Sequence, residues 1–85
     1  MEYKILFHKK AQNFFNKLDK SDKKQLSKAI DKLKSNPKKG KPLSGNLAGL
    51  RSLRITKYRI LYKIHDDKLL VFVLKMGHRK DIYGK

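Results

Sequence analysis

The residues best suited to chemistry lie between Leu50 and Tyr83, in LRSLRITKYRILYKIHDDKLLVFVLKMGHRKDIY. All the arginines of the chain, Arg51, Arg54, Arg59 and Arg79, fall there, while the lysines are spread throughout. Lysine is a solvated point charge, whereas arginine is a permanently charged planar fork that meets two phosphate oxygens at once. A chain that otherwise prefers lysine, yet gathers every arginine in one segment, is equipped to hold phosphate. The chemistry this allows is metal-free phosphoryl transfer on RNA, with the ribose 2′-OH as nucleophile. The protein must then take a proton, stabilise the charge building on phosphorus, and protonate the leaving 5′ oxygen. Arg54, Arg59, Arg79 and Lys57 supply charge. For proton transfer the candidates are His78 and Tyr83, with His8 and His65 set aside as strand-end and turn residues. Tyr83 falls four residues after Arg79, so one turn of helix would bring the two to one side. Surrounding cations favour its phenolate and make it a candidate general base. Tyr83 as an aromatic anchor and His78 as a hydrogen-bonded strand end are the structural alternatives, and both stay open.

Other chemistries are poorly served. Phosphate-loop and dinucleotide-binding fingerprints are missing. A metal-dependent nuclease needs converging carboxylates, but the only adjacent acids, Asp66-Asp67, sit where a hairpin turn needs polar residues. Ser44, before Gly45, lacks the flanking glycines of a nucleophile elbow. Cysteine is absent, which removes disulfides, thiolate catalysis and thiolate-bound metals. No metal or cofactor is expected.

With 85 residues the chain is expected to form one domain spanning 1–85. A domain of this size buries little more than ~60% of its unfolded surface, so its core is thin. The formal net charge is +16, and Asp31 is the single acid between Lys23 and His65. Such a field attracts polyanions: nucleic acid, anionic lipid or an acidic protein. Like charges on this scale also repel and destabilise a small fold, which favours a nucleic-acid partner over mere solvation. The N-terminus lacks the apolar stretch of a signal peptide. The longest apolar run, Leu69 to Leu74, is far shorter than the ~20 residues that cross a bilayer. The expectation is a soluble, cytoplasmic protein with no membrane contact.

The elements that must position the arginines follow from periodicity. Tyr3, Ile5 and Phe7 alternate as a first strand. Ala11, Phe14, Phe15 and Leu18 then fall at helical spacing, and Leu26, Ala29, Ile30 and Leu33 form the stripe of a second helix. Ser21 reads as its N-cap, and Pro37 stops it near Asn36. The two make an antiparallel hairpin. The stretch from Ser35 to Gly49 is a long basic loop, pinned by Leu43 and Leu47. In the next strand Leu53 and Ile55 face one way, Ser52 and Arg54 the other. Tyr58–Ile64 and Leu69–Met76 form a hairpin over the turn His65–Lys68, and the last strand, apolar on both faces, is expected to be central. The fold class is α+β, in the order β-α-α-β-β-β: a small antiparallel sheet with the N-terminal strand and a helical hairpin packed on one face.

The pieces PLSGNLAGLRSLRITKYRILYKI and LLVFVLKMGHRKDIY, joined by an acidic turn, resemble the RelE/ParE superfamily of type II toxins, nearest its RelE branch. Leu43-x-Gly45, Tyr58-Arg59-Ile60 and Gly77-His78-Arg79-Lys80-Asp81-Ile82-Tyr83 carry the resemblance most specifically, and it spans nearly the whole chain. It implies a toxin without metal or cofactor that cleaves mRNA in the ribosomal A site by 2′-OH attack, leaving a cyclic phosphate. It also implies an acidic, RelB-like antitoxin that neutralises the toxin, with operator DNA bound only by the toxin–antitoxin pair. Arg59 matches the arginine that contacts the scissile phosphate, Arg79 the one assigned to the leaving group, and Tyr83 the proposed base. Arg54 falls where some relatives carry a catalytic lysine. Where those relatives have a further lysine this chain has Ser52, with Arg51 and Lys57 as substitutes, and Lys80 adds an RNA contact beside Arg79. Some relatives use histidine near the tail, so His78 is a candidate to share the proton work.

Arginine barely releases a proton near neutrality, so such a site is a poor free ribonuclease. It becomes workable when the ribosome orients the substrate, since positioning alone can lower a barrier by ~7–11 kcal/mol. Two other readings stand beside this one. ParE-like relatives poison DNA gyrase without cutting RNA, and a basic nucleic-acid-binding module would use its arginines only for grip. The Arg–Tyr pair of the tail favours the RelE branch.

Overall fold

Residues 2–80 are described by a computed structural model, and each element in it can be traced to a local signal. The alternation of Ile5 and Phe7 with polar neighbours makes β1 (Lys4–Phe7). His8 ends the strand and caps α1 (Lys9–Asn16), its Nδ1 accepting the Lys10 N–H at 3.1 Å. The second helix starts earlier than expected. Asp19, not Ser21, is the N-cap of α2 (Lys20–Lys32), accepting the Asp22 N–H at 2.8 Å. With Asp22 three positions on, the pair resembles a capping box and adds negative charge to the positive end of the helix. α2 also ends earlier, at Lys32, because Leu33 and Lys34 tighten into i→i−3 hydrogen bonds with Ile30 and Asp31. No helix among the described residues is long and apolar enough to cross a membrane.

The basic loop contains two short 3₁₀ turns and a two-residue strand, β2 (Lys41–Pro42). Leu43 and Leu47 are half-buried outside the main core, and the firm hold is polar. The buried Tyr62 hydroxyl donates to the Pro37 carbonyl at 2.6 Å and accepts the Gly40 N–H at 2.8 Å. Three longer strands follow: β3 (Arg51–Ile55), β4 (Tyr58–His65) and β5 (Leu70–His78).

The strands form one mixed sheet in the order β1-β5-β4-β3-β2. Three pairings are antiparallel, β3–β4 and β4–β5 as expected and β2–β3 within the stretch expected to be a loop, but β1 runs parallel to β5, with Lys4 opposite Leu70 and Phe7 opposite Val73. The helices lie between β1 and the rest of the sheet in sequence, and they return the chain so that its last strand lies beside its first in the same direction. β5 is central only in its first half, since β1 pairs with it no further than Val73.

The β4–β5 register breaks once. Leu61 faces Lys75 but Tyr62 faces Val73, which leaves Leu74 as an extra residue on β5. The bulge changes the phase of the strand. Val71 and Val73 point into the core before it, and Met76 after it. Gly77 therefore shares a face with Arg59, while His78 shares the helix face with Tyr58. The core brings together Ala11, Leu26, Ile30 and Leu33 from the helical side with Leu53, Tyr58, Ile60, Tyr62, Val71, Val73 and Met76 from the sheet. Tyr58 also ties the two layers by donating to Asp22 Oδ2 at 2.7 Å.

Candidate functional site

Arg54 and Arg59 occupy directly opposed positions on β3 and β4, on the sheet face turned away from the helices. A two-residue turn, Thr56-Lys57, joins their strands, with Thr56 held at φ 52. Arg54 is exposed and Arg59 half-buried. Like charges directly opposite one another destabilise a sheet, and the described strands contain no aspartate or glutamate. Opposed positions put both arginines on one face of the sheet, where the two can donate to the same anion.

Arg59 is oriented by its neighbours. Its Nη1 donates to Ser52 Oγ at 3.2 Å, and Ser52 is only 4% exposed. Across the other edge of β4 stands Gly77, which adds no side chain beside the guanidinium. Ser52 thus serves as a hydrogen-bond acceptor for an arginine.

A second basic group lies at the same end of the sheet. The Arg79 N–H donates to the Lys57 carbonyl at 2.9 Å, continuing the β4–β5 register by one position. Lys57, His78, Arg79 and Lys80 line an open cleft of about 280 Å³ there. His78 sits toward the helices rather than the arginine pair. Its ring lies 5.1 Å from that of Tyr58 and packs edge-on to Phe14 at 6.3 Å. Lys57 Nζ lies 5.5 Å from the centre of the Tyr58 ring.

Arg51 stands apart from the other arginines. It faces Tyr62 on the helix side of the sheet, and its Nη1 donates to the Gly40 carbonyl at 2.7 Å and the Lys38 carbonyl at 3.2 Å. Its guanidinium satisfies backbone carbonyls of the basic loop. Tyr83, the expected base, lies outside the described residues, as do Asp81 and Ile82. Sequence reasoning missed the role of Ser52 and overlooked Lys75, which faces Leu61 on the arginine side. Strict alternation from Val71 and Val73 would have turned Lys75 inward.

The tyrosines described in the sheet are held protonated. The hydrogen bond to Asp22, with burial second, pushes the Tyr58 phenol up to about 12. Burial raises that of Tyr62, partly opposed by its bond from the Gly40 N–H and the charge of Arg51. Neither is suited to take a proton. Among the described residues no group of three or more His, Cys, Asp or Glu could hold a metal ion.

Residues 5–83 match the family described as ParE toxin of type II toxin-antitoxin system, parDE. Toxin RelG of Mycobacterium tuberculosis is 48% identical over 46 residues, a match covering about half of each chain, 54% of this one and 53% of RelG. The mRNA interferase toxin RelE of Escherichia coli K12 is 28% identical over 93 residues, covering 100% of this chain and 94% of RelE. Among solved structures, a chain of the RelBE2 toxin-antitoxin complex of M. tuberculosis superposes with a TM-score of 0.85 at 32% identity, covering 95% of both chains.

Proposed function

The chain belongs to the ParE toxin family, within the RelE/ParE superfamily of type II toxins, and we propose that it is a ribosome-dependent endoribonuclease that cleaves mRNA in the A site. The observation that carries this reading is the opposition of Arg54 and Arg59 on a sheet whose strands hold no acid. Arg59, steadied by Ser52, grips the scissile phosphate, and Arg54 stabilises the charge that accumulates as the 2′-OH attacks. Arg79 serves the leaving 5′ oxygen from the adjoining cleft. Tyr83 is the base in this scheme. His78, exposed beside the Phe14 and Tyr58 rings and lining the same cleft as Arg79, is placed to share the proton work. Lys57 and Lys80 add phosphate contacts, and Arg51 is reassigned to holding the loop. Arginine and tyrosine exchange protons poorly near neutrality, so the scheme depends on the ribosome for positioning.

The net charge of +16 suits two polyanionic partners: ribosomal RNA, and an acidic RelB-like antitoxin whose binding masks the toxin. The RelBE2 structure, itself a toxin-antitoxin complex, supports the second. A gyrase-poisoning reading is favoured by the ParE name of the matched family.

A reconstituted translation system with a stalled ribosome and end-labelled mRNA separates them. Cutting on ribosomes but not of free mRNA, crippled in Arg59→Ala, Arg79→Ala and Tyr83→Phe, is the expected result. No cutting, with gyrase supercoiling blocked in a companion assay, would overturn it.

A further inference from the structure

The arginine face of the sheet carries a second feature that the cleavage scheme leaves unused. Lys63 on β4, Phe72 on β5 and Leu6 on β1 stand in one row across three strands. Leu6 is 46% exposed, Phe72 is half-buried, and neither packs against the core beneath the helices. His8, at the end of β1, sets its exposed ring 6.3 Å from that of Phe72 at a tilt of 51°. Apolar side chains left open in a row normally mark a contact surface.

Charge indicates what that contact is. By register, Lys4, Lys63 and Lys75 share this face with Arg54 and Arg59, and no strand position on it holds an acid. Aromatic rings interleaved with cations suit a single-stranded nucleic acid, which brings phosphates to the lysines and a π-face to the ring. Lys63 lies four residues from Arg59 along β4, about 13 Å at the rise of a strand. A base over Phe72 therefore belongs to a nucleotide beyond the scissile step.

We propose that Phe72, flanked by His8 and Leu6, is a stacking platform for an unpaired nucleobase, with Lys63 and Lys75 holding the phosphates between it and Arg59. That this strand is mRNA rests on the endoribonuclease reading; the platform itself does not need catalysis. The platform rewards π-surface rather than base identity, so purines bind it best.

Binding of a short single-stranded RNA containing 2-aminopurine to the full chain at low salt, without ribosomes, tests this. Wild type is expected to quench the 2-aminopurine fluorescence. Phe72→Leu keeps an apolar side chain outside the main core, and is expected to bind about tenfold more weakly without quenching. Its affinity for inorganic polyphosphate, which has no bases, should equal that of wild type. Failure of wild type to bind or quench overturns the platform, as does unchanged RNA binding and quenching in Phe72→Leu. An equal loss for RNA and polyphosphate overturns it too, because it would report a disturbed fold or field. Phe72→Leu losing antitoxin but not RNA would make the patch a protein-docking face instead. The two readings fail separately. A-site cleavage without quenching sinks the platform alone, while quenching without cleavage sinks the nuclease and leaves an RNA-binding sheet.

Discussion

Arg54 and Arg59 face each other across adjacent strands, β3 and β4. Like charges placed directly opposite each other repel. Removing one charge should therefore separate stability from activity. Arg54→Ala is expected to leave stability unchanged or raise it by up to about 1 kcal/mol, while slowing ribosome-dependent cleavage about 100-fold or more. Thermal melts and the A-site assay on the same preparation check both halves.

The Ser52 hydroxyl fixes one end of the Arg59 fork. Ser52→Ala is expected to reduce cleavage about tenfold at most, the scale of one hydrogen bond, without unfolding the chain. Ser52→Thr, which restores the oxygen, should recover the rate. An alanine variant as active as wild type would assign Ser52 to packing alone.

Tyr58 joins sheet to helix through Asp22, and Tyr58→Phe is expected to cost about 1–3 kcal/mol, as for a hydrogen bond to a charged group. The bond also gives stability an alkaline limit. Tyr58 ionises near 12 in the folded protein against an ordinary value of 10. Its contribution is thus complete below the unfolded value and lost as pH rises through the folded one. Denaturant titrations between about pH 9 and pH 12 should show wild type losing this increment and Tyr58→Phe lacking it.

Gly40 has no room for a side chain. A Cβ there would stand 2.6 Å from the Tyr62 hydroxyl and 2.9 Å from the Ser52 carbonyl oxygen. Gly40→Ala is expected to destabilise by about 1–3 kcal/mol and to disturb Arg51, which holds the Gly40 carbonyl. Urea midpoints compared with Lys39→Ala, at an exposed neighbour, give the check.

Much of this architecture was legible because each element carries its own period. The helices, the β4–β5 hairpin and the outward face of Ser52 and Arg54 all follow from local spacing. The parallel pairing of β1 with β5 does not, since the alternation of Ile5 and Phe7 says nothing about a partner at the far end of the chain. The separation of Arg51 from Arg54 was available in principle: three residues apart on a strand, they must face opposite ways. What could not be seen was the extra residue at Leu74. It sends Lys75 and Gly77 to the arginine side and His78 to Tyr58, reversing what alternation from Val73 implies. The base expected at Tyr83 lies outside the described residues.

That same bulge divides β5 into stretches of unequal standing. Leu70–Val73 is flanked by β1 and β4, whereas beyond Leu74 the strand pairs, among the described residues, with β4 alone. Amide hydrogens in the first stretch should exchange only when the whole protein unfolds. Those near Met76 and Gly77 should exchange through smaller openings that spare the core. The end of the sheet that carries Arg59 and leads to Arg79 can then loosen and re-form while the helices stay packed.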